Sequence, residues 1–258
     1  MSDDQEVHCY HSNKDGNEES ITIFFVQGFG SGIYSWTDFW DELSKEYNLV
    51  VLDPRDKASV KLKKNSKCSV QRIALDLVET IHYLKIKEEN ICFIGSSLGA
   101  SYIAHCLSQG WLKPKVCFLI APSIEPRNPK FLLKSTLMFP SFIVDKLGKY
   151  IGRKYLKNKV AEGFQRKVFY NRIENTDVRR WKHCLNMHNW NASEDFKKMN
   201  SKVYIITSSE DKYHELKSVE EVRDLIQDSQ IVKVPSYDFM HIKPGVEEFV
   251  RLIKEILL

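Results

Sequence analysis

The sequence lacks any long apolar run. No segment of its 258 residues approaches the roughly 20 consecutive apolar residues that a membrane-spanning helix needs. The first 20 residues are polar and acidic, without an apolar stretch of the signal-peptide kind, so we expect no export. The sequence also has no internal repeat, no low-complexity tract and no nucleic-acid-binding motif, so we expect no nucleic-acid partner. These absences predict a globular protein of the cytoplasm.

Closely spaced cysteine pairs are also missing. Six cysteines are scattered along the chain, and Cys92, Cys106 and Cys117 lie inside apolar runs, which is typical of buried thiols. The pattern favours a reducing compartment over a disulfide framework. The spacing of His8 and His11 resembles metal-ligand spacing only superficially, because nothing nearby completes a site. We expect neither a metal nor an organic cofactor.

Charge of one sign is concentrated in one part of the chain. The formal net charge is +4, yet residues 127–192 hold 15 Lys and Arg against 4 Asp and Glu. The rest of the chain is acidic overall. This asymmetry indicates that the basic segment has a role different from that of the rest.

Short apolar runs alternate with helical patterns. The runs are apolar throughout, as in strands of a sheet that is covered on both faces. This alternation predicts an α/β protein with a mainly parallel sheet flanked by helices. The predicted strands span residues 21–27, 48–53, 90–95, 115–122, 202–208 and 230–235, and the predicted helices span residues 37–47, 70–84, 98–109, 219–226 and 246–257.

One segment interrupts this alternation. From residue 123 to residue 196 the pattern is helical and basic, with no convincing strand. We therefore predict a helical cap, residues 123–196, inserted into an α/β core that is formed by residues 1–122 and 197–258.

A candidate nucleophile lies where a predicted strand enters a helix. Residues 95–99, GSSLG, fit the pattern G-x-S-x-G with Ser97 at its centre. This turn needs glycines because the backbone passes close to its neighbours and pushes the serine hydroxyl outward. The alternative is a structural serine in a turn that merely needs small residues. We expect Ser96 to pack under the turn.

A serine nucleophile needs a base, and the base needs an orienting acid. Asp211 follows one of the later predicted strands, and His241 follows the next strand and precedes the last helix. Both positions fall at the carboxyl ends of strands, where open α/β sheets place their sites. Glu210 is the alternative acid, but the distance from the strand favours Asp211.

Two backbone amides are candidates for stabilising an oxyanion. The helix after Ser97 directs its first amides towards the serine, so the N–H of Leu98 is one candidate. The second is expected from the turn after the first buried strand, VQGFGSG at residues 26–32, whose glycines let the backbone bend. Phe29 is the natural donor in that turn.

Together these motifs resemble the α/β-hydrolase superfamily, in particular capped small esterases, lipases and thioesterases. The resemblance covers nearly the whole chain except the cap, and it rests on QGFGSG with Trp36, LDPRDKAS at residues 52–59, GSSLGA, SSED and HIKPGVEEF. It implies that Ser97 attacks, that His241 transfers the proton and that Asp211 orients His241. It also implies that the amides of Phe29 and Leu98 hold the oxyanion.

The sequence departs from the family pattern at three places. Gln27 stands where the family often has histidine, and Ser208 stands where glycine is usual in the acid turn. The family's second loop commonly reads D-x-R-G-H-G-x-S. Here Asp56, Lys57 and Ala58 replace its small central residues, which leaves the shape of this loop open.

The cap carries two features that bear on substrate and partners. Residues 131–144 are apolar on nearly all faces, so we expect this segment to pack against the core, with a pocket wall or contact with a membrane surface as the alternatives. The basic run at residues 146–159 is expected to be solvated, with peripheral contact to a membrane or anionic lipid as the alternative.

The sequence therefore predicts a serine hydrolase for a small carboxylic ester or thioester with an acyl-like or anionic character. Two alternatives stay open. One is a non-catalytic binding protein on a hydrolase scaffold, and the other is an acyltransferase or lyase that uses the same three residues.

Overall fold

The computed structural model describes residues 1–14, 20–29, 33–57, 59–63, 66–125, 136–160, 162–208 and 216–258. The strands in these ranges are β1 His8–Ser12, β2 Thr22–Val26, β3 Asn48–Asp53, β4 Ile91–Ser96, β5 Val116–Ile120, β6 Val203–Ser208 and β7 Ser229–Val234. They form one sheet in the order β1-β3-β2-β4-β5-β6-β7. Only the β1–β3 pair is antiparallel among these strands, so the predicted mainly parallel α/β sheet is confirmed.

Helices cover both faces of the sheet, as the continuous apolar strands predict. The α-helices of the described ranges are α1 Thr37–Ser44, α2 Val70–Tyr83, α3 Leu98–Ser108, α4 Ser141–Lys159, α5 Phe164–Glu174, α6 Val178–His183, α7 Ser193–Lys197, α8 Leu216–Leu225 and α9 Gly245–Leu257. Successive side chains of β2 point to opposite faces of the sheet. Phe24 packs in the apolar core beneath α2 and α3, while Phe25 packs in the apolar core beneath α1 and α9.

Strand β1 was not among the predicted strands. Its five residues, HCYHS, are all exposed, so they carry no apolar signal. The strand forms through backbone pairing with β3, where His8 lies opposite Asp53 and Ser12 opposite Leu49. The segment with His8 and His11 is therefore an exposed edge strand.

Helices α4 to α7 occupy the chain between β5 and β6, and the described residues of this region contain no strand. Leu156 of α4 packs with Val168 and Phe169 of α5 in a small apolar cluster. Arg153 and Glu174 join the same two helices through two charge-assisted hydrogen bonds of 2.6 and 2.7 Å. The cap boundaries at residues 123 and 196 remain a prediction.

The expectation that residues 131–144 pack against the core is wrong for the described part of this segment; residues 131–135 lie outside the described ranges. Pro140 is the residue before α4, which begins at Ser141, so the segment does not continue as one buried helix. The exposed fractions lie between 40% and 83% for Leu137, Met138, Phe139, Phe142, Ile143, Leu147, Tyr150, Ile151 and Tyr155. Leu137, Met138 and Phe139 precede α4, and the other six lie on α4 itself, so much of this helix faces solvent.

One cysteine pair also differs from expectation. Cys68, just before α2, and Cys184, just after α6, form a disulfide that links these two helices. The two residues are 116 positions apart, so sequence spacing did not indicate the pair. The other four cysteines are free thiols, and Cys92, Cys106 and Cys117 are buried as predicted.

Within the described ranges, none of the helices combines the length and the apolar character that crossing a bilayer requires.

Candidate active site

The turn between β4 and α3 holds Ser97 in an unusual backbone conformation. Its φ is 51° and its ψ is −119°, a region that residues other than glycine rarely adopt. The N–H of Ser97 donates to the carbonyl of Ile120 at 2.9 Å, and the Ser97 carbonyl accepts from the N–H of Ala100 at 3.0 Å. The side chain is half-buried, and Ser96, which is also half-buried, is the last residue of β4. The conformation is the strained strand-to-helix turn that a nucleophile elbow requires.

Two glycines are required by the close approach of neighbouring backbone. A Cβ atom at Gly99 would overlap the carbonyl oxygen of Val26 at the end of β2. A Cβ atom at Gly28 would lie 2.9 Å from the carbonyl oxygen of Ser96 and 3.1 Å from Cβ of Ser97. The turn after β2 therefore lies directly against the Ser97 turn.

These contacts bring both predicted oxyanion residues to the neighbourhood of Ser97. Leu98 is the first residue of α3, so its N–H has no acceptor within the helix. Phe29 follows Gly28 in the turn that packs against Ser97. The remaining glycines of that turn, Gly30 and Gly32, lie outside the described residues.

His241 lies at the end of the turn that follows β7 and is 2% exposed. Its ring stacks between Trp36, with centroids 4.0 Å apart, and Tyr237, with centroids 3.9 Å apart. The ring centroid of Phe164 of α5 lies 5.9 Å away, so the helical segment between β5 and β6 reaches the histidine. Nδ1 of His241 is 2.8 Å from the carbonyl oxygen of Tyr237.

That contact assigns the protonation of the ring. A backbone carbonyl can only accept a hydrogen bond, so Nδ1 of His241 carries the proton in the neutral ring. Nε2 is then the basic nitrogen, as a general base for a serine hydroxyl needs.

The structure describes two members of the predicted triad, Ser97 and His241. Among the described residues, no hydrogen bond links Ser97 Oγ to His241 in this conformation. Asp211 and its alternative Glu210 lie outside the described residues. Ser208, at the end of β6 ahead of them, is buried, and its Oγ lies 3.4 Å from the carbonyl oxygen of Pro235.

The loop after β3 keeps Asp53, Arg55 and Ser59, which match the Asp, Arg and Ser of the family pattern. Arg55 is fully buried and contacts Asp76 of α2 at 2.5 and 2.7 Å and Asp3 at 2.7 Å. Ser59 Oγ donates to the Asp53 carboxylate. The loop is thus anchored at both ends despite its altered centre.

The sequence shows that Asp56 and Lys57 replace small residues of the loop after β3, but it does not show that both side chains are buried. Asp56 and Lys57 are both buried, and Lys57 Nζ donates to the carbonyl oxygen of Gly28. Burial raises the pKa of Asp56 and lowers the pKa of Lys57, while their mutual attraction opposes both shifts. The available signal was the departure from the family's small residues in LDPRDKAS.

Gln27 is also buried completely. Neither its amide oxygen nor its amide nitrogen has a hydrogen-bond partner within the described part of the chain. Gln27 precedes Gly28, so this departure from the family pattern lies at the same edge of the sheet as Ser97.

The histidine on α3 has a structural role. His105 is buried, with Nδ1 3.0 Å from Asp195 Oδ1 of α7, and its ring meets Trp111 and Trp190 edge-on. His105 is therefore a packing residue whose ring has a hydrogen-bond partner.

No protein-family model and no curated protein matches the chain. Solved structures do match along nearly its whole length. An esterase from Thermogutta terrifontis matches with a TM-score of 0.75 at 15% identity, over 98% of this chain and 93% of its own. An enol-lactonase from Burkholderia xenovorans LB400 matches with a TM-score of 0.74 at 13% identity, over 98% and 96%. The hydrolase olei00960 from Oleispira antarctica matches with a TM-score of 0.72 at 16% identity, over 96% and 94%.

The chain has the α/β-hydrolase fold. Identities of 13–16% establish the architecture and leave the reaction and its substrate to be argued from the site itself. In this α/β-hydrolase fold the Ser97 turn, the Gly28 turn and the His241 turn all lie at the carboxyl ends of parallel strands, where such sheets form their sites.

Proposed function

We propose that the protein is a serine hydrolase that cleaves a carboxylic ester or thioester through an acyl-enzyme. The observation that carries the proposal is the backbone of Ser97, held at a φ of 51° where its turn packs tightly against the turn that contains Gly28. A conformation of this kind costs of order 1–3 kcal/mol and persists where the surrounding structure imposes it, most often at functional sites. A turn that only needed small residues would have no reason to hold a serine there.

In the proposed reaction, Ser97 Oγ forms a bond to the acyl carbon and its proton passes to Nε2 of His241. The carbonyl electron pair moves to oxygen, where the amides of Phe29 and Leu98 stabilise the charge. Collapse of this intermediate breaks the bond to the alcohol or thiol, which takes the proton from His241. Water repeats the sequence on the acyl-enzyme and releases the acid. Asp211 is the proposed orienting acid for His241, and in this role it accepts the Nδ1–H that the Tyr237 carbonyl accepts in the present conformation.

A fluorophosphonate probe tests the nucleophile directly, because Ser97 Oγ would bond to phosphorus and displace fluoride. We expect one adduct at Ser97, loss of both labelling and turnover in Ser97→Ala, and retention of both in Ser96→Ala. Absence of an adduct on folded protein would refute the proposal. Comparison of Asp211→Asn with Glu210→Gln distinguishes the two candidate acids, and we expect only Asp211→Asn to lower kcat, by about 10⁴-fold.

A non-catalytic binding protein is the second candidate, and two observations favour it. No hydrogen bond between described residues links Ser97 to His241, and Gln27 stands buried in the turn beside them. The bond is often loose in unliganded hydrolases and tightens only in complexes, so we favour catalysis. A folded protein that binds acyl compounds stoichiometrically without turnover or labelling would reverse this preference.

The proposed substrate has an apolar acyl portion. Aromatic side chains surround His241 on several sides, from α5 of the cap as well as from the core. The basic segment at residues 127–192, which lies within the predicted cap, also favours an anionic substrate. Equal rates for short neutral esters and for long or anionic ones would contradict this substrate class. Product analysis with added alcohols or thiols separates hydrolysis from acyl transfer.

We also propose peripheral contact with anionic lipid through α4. This helix carries six basic residues and one acidic residue. Its exposed apolar side chains are Phe142, Ile143, Leu147, Tyr150, Ile151 and Tyr155. A basic helix with a solvent-exposed apolar face fits the surface of an anionic membrane.

The cytoplasm is the proposed location, on the argument from the polar amino terminus and the buried thiols. The Cys68–Cys184 disulfide is the observation that stands against it, because disulfides are rare in reducing compartments. Differential alkylation of the protein inside cells distinguishes these locations, since a fully oxidised pair would contradict the cytoplasm.

A further inference from the structure

Two charged side chains are buried in the turn that follows β3. Lys57 is 5% exposed, Asp56 is 6% exposed, and Lys57 Nζ lies 3.3 Å from Asp56 Oδ2. Taking an ammonium group out of water costs several kcal/mol, so lysine is rarely buried without specific partners. Asp56 supplies the opposite charge, and a second partner lies in another loop.

That second partner is the turn after β2. Lys57 Nζ donates a hydrogen bond to the carbonyl oxygen of Gly28. Gly28 lies so close to the nucleophile turn that an added Cβ would be 3.1 Å from Cβ of Ser97. Lys57 therefore connects the loop after β3 to the peptide that lies beside Ser97.

The Gly28–Phe29 peptide couples this contact to an oxyanion donor. Lys243–Pro244 is the one cis peptide bond of the described residues, so the Gly28–Phe29 peptide is trans. The C=O and the following N–H of a planar trans peptide point in opposite directions. A donor that fixes the direction of the Gly28 carbonyl therefore also fixes the direction of the Phe29 N–H.

The turn needs such a contact because of its composition. Residues 27–32, QGFGSG, contain three glycines, which leave the peptide planes wide conformational freedom. An oxyanion donor is effective only when its N–H is aimed before the charge develops. A hydrogen bond to the carbonyl of the same peptide also polarises it and strengthens its N–H as a donor.

We propose that Lys57 is a positioning residue that aims the Phe29 amide at the oxyanion formed when Ser97 attacks. This inference rests on the proposed hydrolase function. Lys57 does not contact the substrate; it acts through the Gly28 carbonyl. Because the oxyanion exists only in the tetrahedral state, Lys57 raises kcat and leaves ground-state binding largely unchanged.

Lys57→Met tests the proposal, since it removes the ammonium group and keeps a comparable side-chain length. Two inhibitors with the same alkyl chain separate the two states. A trifluoromethyl ketone accepts Ser97 Oγ to give an anionic tetrahedral adduct, whereas the carboxylate product forms none. We expect Lys57→Met to lower kcat and the trifluoromethyl ketone affinity by about 10- to 100-fold. We expect KM and the carboxylate affinity to change by less than about threefold.

Two further variants complete the design. Lys57→Arg retains a cationic donor and should recover part of the loss. Lys61→Met makes the same substitution at an exposed lysine of the same loop and should leave the kinetics unchanged. If Lys57→Met does not fold, Lys57→Arg and Lys57→Gln replace it. The measured quantity is then the ratio of trifluoromethyl ketone affinity to carboxylate affinity. A ratio equal to that of wild type in both variants contradicts the proposal.

Equal losses for both inhibitors, or a folded Lys57→Met within about twofold of wild type for the trifluoromethyl ketone, would overturn the positioning role. The proposed function fails in a different way. A wild-type protein that neither reacts with fluorophosphonate nor binds the trifluoromethyl ketone refutes the hydrolase itself. An active wild type with an unaffected Lys57→Met refutes only the role of Lys57.

Discussion

At the scale of single residues, the Ser97 turn owes its shape to its neighbours. Its positive φ is unfavourable for serine, and hydrogen bonds to Ile120 and Ala100 hold the backbone on either side. Gly99 lets α3 begin against the end of β2, since any larger residue would meet the Val26 carbonyl. The conformation of the Ser97 turn is thus a consequence of packing between elements.

Gly99→Ala should therefore damage both stability and the site. The added Cβ would overlap a backbone oxygen that cannot rotate away, so we expect a loss of more than about 2 kcal/mol in the free energy of unfolding. Gly148→Ala is the matched control, because a Cβ at this helical position meets nothing within 4 Å. It should stabilise by up to about 1 kcal/mol. Urea unfolding measures both, and equal effects of the two substitutions would contradict the packing argument.

The candidate nucleophile and base could be selected from the sequence because each follows an apolar run at a strand end. Lys57 could not be selected in this way. It stands in a loop followed by Lys61 and Lys63, where lysine ordinarily indicates solvent. Its burial depends on the approach of Gly28 from another strand, a contact that no local pattern encodes.

At the scale of elements, Arg55 joins three parts of the chain. Its guanidinium bridges the loop after β3, Asp76 of α2 and Asp3 of the amino-terminal segment. The hydrogen bond from Arg55 lowers the pKa of Asp3 to about 2, from an ordinary value of 3.8. Since the pKa is lower in the folded protein, the Asp3 contribution to stability is complete above the ordinary pKa and is lost as the pH falls towards 2.

Asp3→Asn should expose this dependence. We expect the variant to be less stable than wild type by about 1–2 kcal/mol near neutral pH, because a hydrogen bond to a charged group is lost. The difference should shrink between pH 4 and pH 2 as Asp3 of the wild type becomes protonated. Asp4→Asn is the control, since Asp4 is exposed and pairs only with a surface lysine. A difference that stays constant down to pH 2 would contradict the assignment.

Helix α4 supports a prediction about lipid. Phe142→Ser combined with Leu147→Ser should reduce binding to vesicles of phosphatidylglycerol by at least about tenfold, because each exposed side chain would bury apolar area in the bilayer surface. Tyr83→Ser, at an aromatic residue of α2 that is even more exposed, should have no effect. Sedimentation with vesicles at two salt concentrations measures the binding, which should weaken in high salt.

The vesicle experiment also has contrary outcomes. Wild-type protein that ignores anionic vesicles would refute the membrane proposal. A dimer in gel filtration that becomes a monomer in the double variant would assign the same apolar face to a second copy of the chain.

The elements themselves were predictable to different degrees. The six strands with buried apolar side chains were predicted to within two residues at each end, because burial on both faces leaves a continuous apolar signal. Strand β1 depends on pairing with β3 and has no such signal. For α4 the apolar residues were correctly noted but wrongly assigned to the core, since periodicity does not say whether an apolar face has a partner.

At the scale of the whole molecule, the helical segment between β5 and β6 contacts the core beside His241. Phe164 and Phe169 of α5 approach His241 and Tyr237. The Cys68–Cys184 disulfide ties the end of α6 to the start of α2, and Asp195 of α7 contacts His105 of α3. The segment is therefore held by one covalent link, by aromatic contacts and by packing of its last part against the core.

The disulfide predicts how many thiols react with an alkylating reagent before and after reduction. Protein unfolded without reductant should take up four equivalents of iodoacetamide, at Cys9, Cys92, Cys106 and Cys117, and six after a dithiol has reduced the disulfide. Cys184→Ser should lower the free energy of unfolding by about 2–4 kcal/mol, because the unfolded chain loses a long covalent loop. Cys9→Ser, at an exposed free thiol, is the control and should change neither stability nor the cap. Uptake of six equivalents without reductant would show that no disulfide holds the segment between β5 and β6. In that case Cys184→Ser and Cys9→Ser should have the same free energy of unfolding and the same hydrogen-exchange protection in α5.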